Sequence, residues 1–204
     1  RYMDYELEHN EEPASVYAFA KQYNFLESKF YEYFGRIDAI EKTVFKTFFD
    51  HTIIALEKSE SYDSFDPRNK LLSFYFTFFE NLTANRSYVL CALNKHKNRL
   101  ESISALSELK PLFYHYIKDL GIELVDVKVE QLERIQNKGL QKSAWLQLLL
   151  TMKFWLDDSS PSFEKTDIFI EKSVNTSFDI LNVAPLKSLI DFGKFIFKEK
   201  IKVN

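Results

Sequence analysis

Apolar residues recur at three- and four-residue steps from one end of the chain to the other, with short polar stretches between them. That spacing predicts about nine or ten helices. Residues 1–10 read as the tail of a first helix, with Met3 inside the pattern of Tyr2, Tyr5 and Leu7. The chain begins at Arg1 rather than Met, so the start of this helix and any arm before it are expected to lie outside the sequence. After the loop Glu11-Glu12-Pro13-Ala14, Ser15 is placed to cap a short helix over residues 16–22. A second short helix is expected over residues 27–34, with Gly35 at its C′ position. A long helix then covers residues 37–58, carrying Ile37, Ile40, Val44, Phe48 and Leu56 near one face.

The polar stretch 59–65 leads to Asp66-Pro67, a capping side chain followed by proline at the first helical position. The helix it opens runs to about Ala84 and is filled with Phe74, Tyr75, Phe76, Phe78 and Phe79. Further helices are expected over residues 86–98, 107–120 (stopped by Gly121) and 125–137 (before Gly139). Residues 140–157 form the most apolar segment. Leu140, Ala144, Leu148, Met152 and Trp155 make one stripe, and Trp145, Leu149 and Leu150 widen it, so this helix should be covered on more than one side. Ser159-Ser160-Pro161 turns the chain into a helix whose stripe is Phe163, Ile170, Val174, Phe178 and Leu181. A last helix is expected from Pro185 to about Lys200. There is no tandem repeat.

Composition sharpens this all-α reading. Phe and Tyr number 20 and 11, while Gly and Pro number only 4 and 5, too few for a turn-rich sandwich or an array of βαβ units. A length of 204 residues and 46% hydrophobic content suffice for one or two packed domains. The single Cys91 excludes an intrachain disulfide and a cysteine-based zinc cluster, and it points to a reducing compartment, the cytoplasm. Three Asn-x-Ser/Thr sites, at Asn81, Asn85 and Asn175, read as helix-surface polar residues in the absence of a signal peptide. Apolar runs stop short of the ~20 residues that span a bilayer.

Signals of catalysis are missing. His9, His51, His96 and His115 are scattered without metal-binding spacing, and the chain holds no HExxH, GxSxG, GxGxxG or phosphate-cradling glycine loop. Asp157-Asp158 reads as helix-end and loop-capping chemistry, because adjacent helical residues point in different directions. No enzyme, cofactor or metal is expected.

Two stretches carry a resemblance. The run Ala14-Ser15-Val16-Tyr17-Ala18-Phe19-Ala20, then Tyr23-Asn24-Phe25, then Phe30-Tyr31-Glu32-Tyr33-Phe34-Gly35, resembles the helix-turn-helix of TetR-family transcriptional regulators. The short-short-long helix order agrees with it. The resemblance implies a three-helix DNA-binding domain over residues 1–50 and a helical ligand-binding and dimerisation domain over residues 51–204. It implies that Ser15, Ser28, Lys29, Tyr31 and Tyr33 face operator DNA, with Arg36 as a phosphate contact, and that Val16, Phe19, Ala20, Phe25, Phe30 and Phe34 form the small core. The second stretch, FWLDDSSPSFEKTDIFIEKSV over residues 154–174, is similar to the C-terminal region of TetR-like regulators. It is also similar to the TetR-fold lipid-binding accessory protein of coenzyme Q synthesis.

From the resemblance follow a homodimer through the helices near 140–157 and 163–181 and a small apolar effector. Phe74, Phe78, Tyr88, Phe113, Tyr116, Trp145 and Phe154 are the candidate wall of its cavity. An alternative reading is a TetR-fold lipid or isoprenoid carrier without DNA binding. Residues 1–60 hold seven Lys and Arg against twelve Asp and Glu, a net of −5, which opposes binding to a polyanion. Leu26 and Ile37 stand where the family's motif has Ser or Thr and Lys. Residues 186–201 form a basic amphipathic pattern, suited under this alternative to a membrane surface.

Overall fold

The structure, a computed structural model, describes residues 1–94, 104–123 and 130–182. Among the described residues there are nine α-helices and no strand, so the all-α expectation holds. They are α1 (Tyr2–His9), α2 (Val16–Gln22), α3 (Glu27–Tyr31), α4 (Asp38–Glu57), α5 (Pro67–Ala84), α6 (Arg86–Asn94), α7 (Leu109–Asp119), α8 (Glu130–Asp157) and α9 (Glu164–Asn182). The expected last helix, the segment 95–98 with His96, and the start of the helix expected at 125 lie outside the described residues.

Packing divides the chain into two compact units, Arg1–Ser59 with Thr77–Phe113, and Glu60–Phe76 with Tyr114–Asn204. In the first, α1 ends at Asn10, whose left-handed φ of 55° lets its N–H reach the Glu6 carbonyl. Ser15 caps α2 as expected: its Oγ accepts from the Ala18 N–H at 3.1 Å. Asn24, at φ 53°, makes the left-handed turn between α2 and α3. Phe19 sits at the centre of the small core, edge-on to Tyr2 at 6.2 Å, Tyr5 at 6.0 Å and Phe25 at 5.7 Å. Val16, Ala20 and Phe30 are buried with it. Along α4, Ile40, Phe45, Phe48, Phe49 and Leu56 are buried, and Thr52 bridges two helices by donating to the Phe48 carbonyl and accepting from Asn81.

Helix α3 is shorter than the expected 27–34. Leu26 at its N-cap offers no side-chain acceptor, and at the other end the N–H groups of Tyr33 and Phe34 both converge on the Phe30 carbonyl. That tight turn removes the need for a left-handed residue, and Gly35 does not adopt a positive φ.

In the second unit, Asp66 caps α5 by accepting from the Asn69 N–H at 2.8 Å. Gly121 stops the chain after α7 with φ 63°. The break expected at Gly139 does not occur, and α8 runs through it for 28 residues. One interior glycine costs ~1 kcal/mol relative to alanine, which the burial of Ala144, Trp145, Leu148, Met152 and Trp155 outweighs. Gln141, two residues on, also donates to the Tyr114 carbonyl at 3.1 Å. Between α8 and α9, Ser162 and Phe163 hold left-handed φ values of 53° and 61°. Asp158 secures that turn by accepting from the backbone N–H and hydroxyl of both Ser160 and Thr166. Of the expected stripe, Ile170, Val174 and Phe178 on α9 are buried, while Leu181 at its end and Phe163 in the preceding turn are half-buried.

Candidate functional site

The six residues singled out as a reading surface all lie in the first unit and are exposed. Ser15 uses its oxygen as the α2 cap and keeps its hydroxyl proton available. Lys29 on α3 donates to Glu32 at 2.6 Å and lies 5.1 Å from the centre of the Tyr33 ring. The bond to Glu32, with a smaller contribution from Tyr33, raises its pKa. Tyr31 points the other way along α3 and donates to Glu27 at 3.3 Å; desolvation first, and the Glu27 charge second, raise its pKa. Arg36, beyond the helix, pairs with Asp38 at 3.0 Å. Ser28 is exposed on α3.

Lys29, Glu32 and Tyr33 thus form one cluster, Tyr31 and Glu27 a second, and Arg36 and Asp38 a third. The two cations among the six, Lys29 and Arg36, are each matched by a carboxylate. Such exposed pairs are worth at most ~1 kcal/mol, so a phosphate can displace the carboxylate at little cost. Tyr17 and Leu26 are also widely exposed in the same unit.

Under the head, Glu6 of α1, Glu12 of the following loop and Glu41 of α4 bring carboxylate oxygens within 4.8 Å of one another. Glu6 and Glu41 are buried. Tyr2 donates to Glu6 at 2.8 Å, and Tyr88 of α6, 1% exposed, lies close enough for their charges, after desolvation, to raise its pKa. The spacing of the three carboxylates would suit a cation, but each has further interactions within the protein. We read the group as a seam between α1, α4 and α6. Among the described residues no histidine joins it: His9 stacks on Tyr5, His51 is exposed, and His115 faces Asp119.

The seven candidate effector residues fall in both units. Phe78, Tyr88 and Phe113 are buried in the first unit. In the second, Phe74 packs 4.7 Å from Tyr116, and Trp145 meets Tyr114 edge-on at 6.5 Å. The Tyr116 hydroxyl donates to the Lys70 carbonyl and meets the Tyr62 hydroxyl, each at 3.0 Å. Phe154 faces outward, 37% exposed, and stacks on Phe169 at 4.6 Å. It lines an open groove of about 670 Å³ along α8 and α9, whose apolar walls are Leu146, Leu150, Phe154, Ile168 and Phe169.

The family model for the tetracyclin repressor-like C-terminal domain matches residues 70–196. The chain therefore belongs to the tetracyclin repressor-like, or TetR, family. The matched range includes the stretch 154–174 that carried the second resemblance, and it leaves the head at residues 15–40 outside. No curated protein and no solved structure matches the chain. Among the described residues, no helix is long and apolar enough to cross a membrane.

Proposed function

We propose that the chain is a homodimeric, ligand-responsive transcriptional regulator of the TetR type that acts in the cytoplasm. Residues 1–50 form the DNA-reading domain, and residues 51–204 form the effector and dimerisation domain. The observation that carries this reading is the family match over residues 70–196, joined to a head in which two short helices lead into a long one.

On operator DNA, α3 enters the major groove with Ser28, Lys29, Tyr31 and Tyr33. Ser15 and Arg36 hold phosphates on either side, Lys29 and Arg36 exchanging their carboxylate partners for the backbone. Two heads engage half-sites about 34 to 36 Å apart. The dimer forms through the outer faces of α8 and α9, where the exposed Leu146, Leu150 and Ile168 flank the Phe154–Phe169 stack. A small apolar effector binds in the C-terminal domain, where Phe74, Tyr116 and Trp145 of the second unit are wall candidates, and shifts the spacing of the heads.

Replacing Lys29 and Tyr31 together by Ala is expected to abolish operator binding while the dimer stays folded. Unchanged affinity would refute the assignment of α3. The acidic head favours one other reading, a lipid or isoprenoid carrier of the same fold; it predicts no selective DNA site and uptake of a fluorescent fatty acid or isoprenoid.

A further inference from the structure

The seam between α1, α4 and α6 gathers negative charge where water is scarce. Glu6 and Glu41 are buried, and Glu12 joins them half-buried from the loop after α1. One oxygen from each carboxylate lies within 4.8 Å of the other two. Tyr2 donates to Glu6 Oε1 at 2.8 Å, which fixes the orientation of that carboxylate. Buried carboxylates this close repel one another, and a positive centre between them offsets the repulsion.

A second feature of the seam, on a different helix and not itself acidic, points the same way. Tyr88 on α6 is 1% exposed, and its hydroxyl has no hydrogen-bond partner among the described residues. A buried hydroxyl without a partner is costly, and its presence in a folded protein calls for an explanation. Desolvation first, then the charges of Glu6 and Glu41 and more weakly that of Glu12, raise its pKa, so the phenol faces the same three carboxylates. It stands beside strong acceptors and donates to none of them. That is the arrangement of a ligand whose lone pair, rather than its proton, is turned to a shared centre.

The donor set decides the chemistry of that centre. Carboxylate and phenol oxygens are hard ligands, and among the described residues no thiolate or imidazole belongs to the group. Such a set favours Ca²⁺, Mg²⁺ or Mn²⁺ over zinc or copper. Oxygens on opposite sides of a calcium ion, at about 2.3–2.6 Å each, stand about 4.6–5.2 Å apart. The observed limit of 4.8 Å falls in that range. The carboxylates keep their other interactions within the protein, because each offers two oxygens and about four lone-pair sites.

We infer that Glu6, Glu12 and Glu41, with the Tyr88 hydroxyl, form a binding site for one hard divalent cation. All four residues belong to the first unit, and the ion ties α1 and the loop after it to α4 and α6. The site goes beyond the regulator reading and stands independently of it.

Manganese binding by the full chain, first stripped with a chelator, tests it, because free Mn²⁺ gives a paramagnetic resonance signal that is lost on binding. The expected result is one Mn²⁺ per chain, displaced by excess Ca²⁺ or Mg²⁺. Glu12→Gln, at the least buried of the three carboxylates, should weaken binding by about tenfold or more, since affinity follows ligand charge. Tyr88→Phe removes only the hydroxyl and should weaken it less. Glu171→Gln, at an exposed position on α9, should bind as wild type does and controls for stray surface carboxylates. Circular dichroism checks that each variant is folded, and Tyr88→Phe carries the test if Glu12→Gln is not. No saturable binding by wild type at millimolar Mn²⁺, or binding that the folded variants Glu12→Gln and Tyr88→Phe leave unchanged, would overturn the site.

Discussion

Truncating Leu150 to Ala should loosen the dimer by a predictable amount. Leu150 is 51% exposed in the single chain, and burying a whole leucine side chain is worth about 1.5 to 3 kcal/mol. The half left open therefore contributes ~1 kcal/mol per copy when the groove is covered. Two-fold symmetry doubles this to ~2 kcal/mol, or a roughly 30-fold rise in dimer Kd at about 1.4 kcal/mol per factor of ten. Ile180 is an internal control: on α9 it is 53% exposed, but it does not line the groove. Sedimentation equilibrium from nanomolar to micromolar concentration would read both variants. Leu150→Ala should shift the monomer–dimer midpoint and Ile180→Ala should leave it in place; equal shifts, or none for either, would refute the placement of the interface.

Two further predictions concern the fold. Tyr2→Phe removes the buried hydrogen bond to Glu6 at 2.8 Å and should lower stability by roughly 1 to 3 kcal/mol, read by urea unfolding; a change below about 0.5 kcal/mol, the level of an ordinary surface substitution, would contradict the seam. For Asp158, burial opposes ionisation, and the hydrogen bonds from Thr166 and Ser160 overcome it, holding the carboxyl well below its usual range. Its stabilising effect is therefore fully present above the unfolded value of about 3.9 and is lost as pH falls below it. Asp158→Asn should be less stable than wild type at neutral pH, with the gap closing in acid; a gap constant down to pH 2 would count against the capping role.

The parts of the fold that were legible in the sequence are those set by neighbours. Ser15 and Asp66 are acceptors three residues ahead of the N–H they bind, and Asn24 and Gly121 are among the residue types that reach the left-handed region without large cost. The excess of apolar positions around Leu150 marked a second apolar face on α8, which the single chain leaves exposed at Leu146 and Leu150. Gly35 and Gly139 misled, because a glycine permits a helix end without requiring one, and long-range packing decided both cases. The seam of Glu6, Glu12 and Glu41 was not legible: it joins residues 35 apart in sequence, and two of the carboxylates sit in polar surroundings that read as solvated. The six positions proposed to meet DNA are all exposed, but the carboxylates that partner Lys29 and Arg36 were not legible. The candidate effector wall was chosen from aromatics at helical spacing, which selects core residues as readily as pocket ones.

The central claim is that this head reads DNA despite its acidic composition. It is tested most directly by titrating the protein against the duplex upstream of its own gene and against a scrambled duplex, at two salt concentrations. The account predicts selective binding to the first duplex that weakens with salt. Lys29 and Arg36 from two heads would neutralise about four phosphates, for a slope of log affinity on log salt of about −3.6. Equal, weak binding to both duplexes at low salt would contradict it and favour the carrier reading.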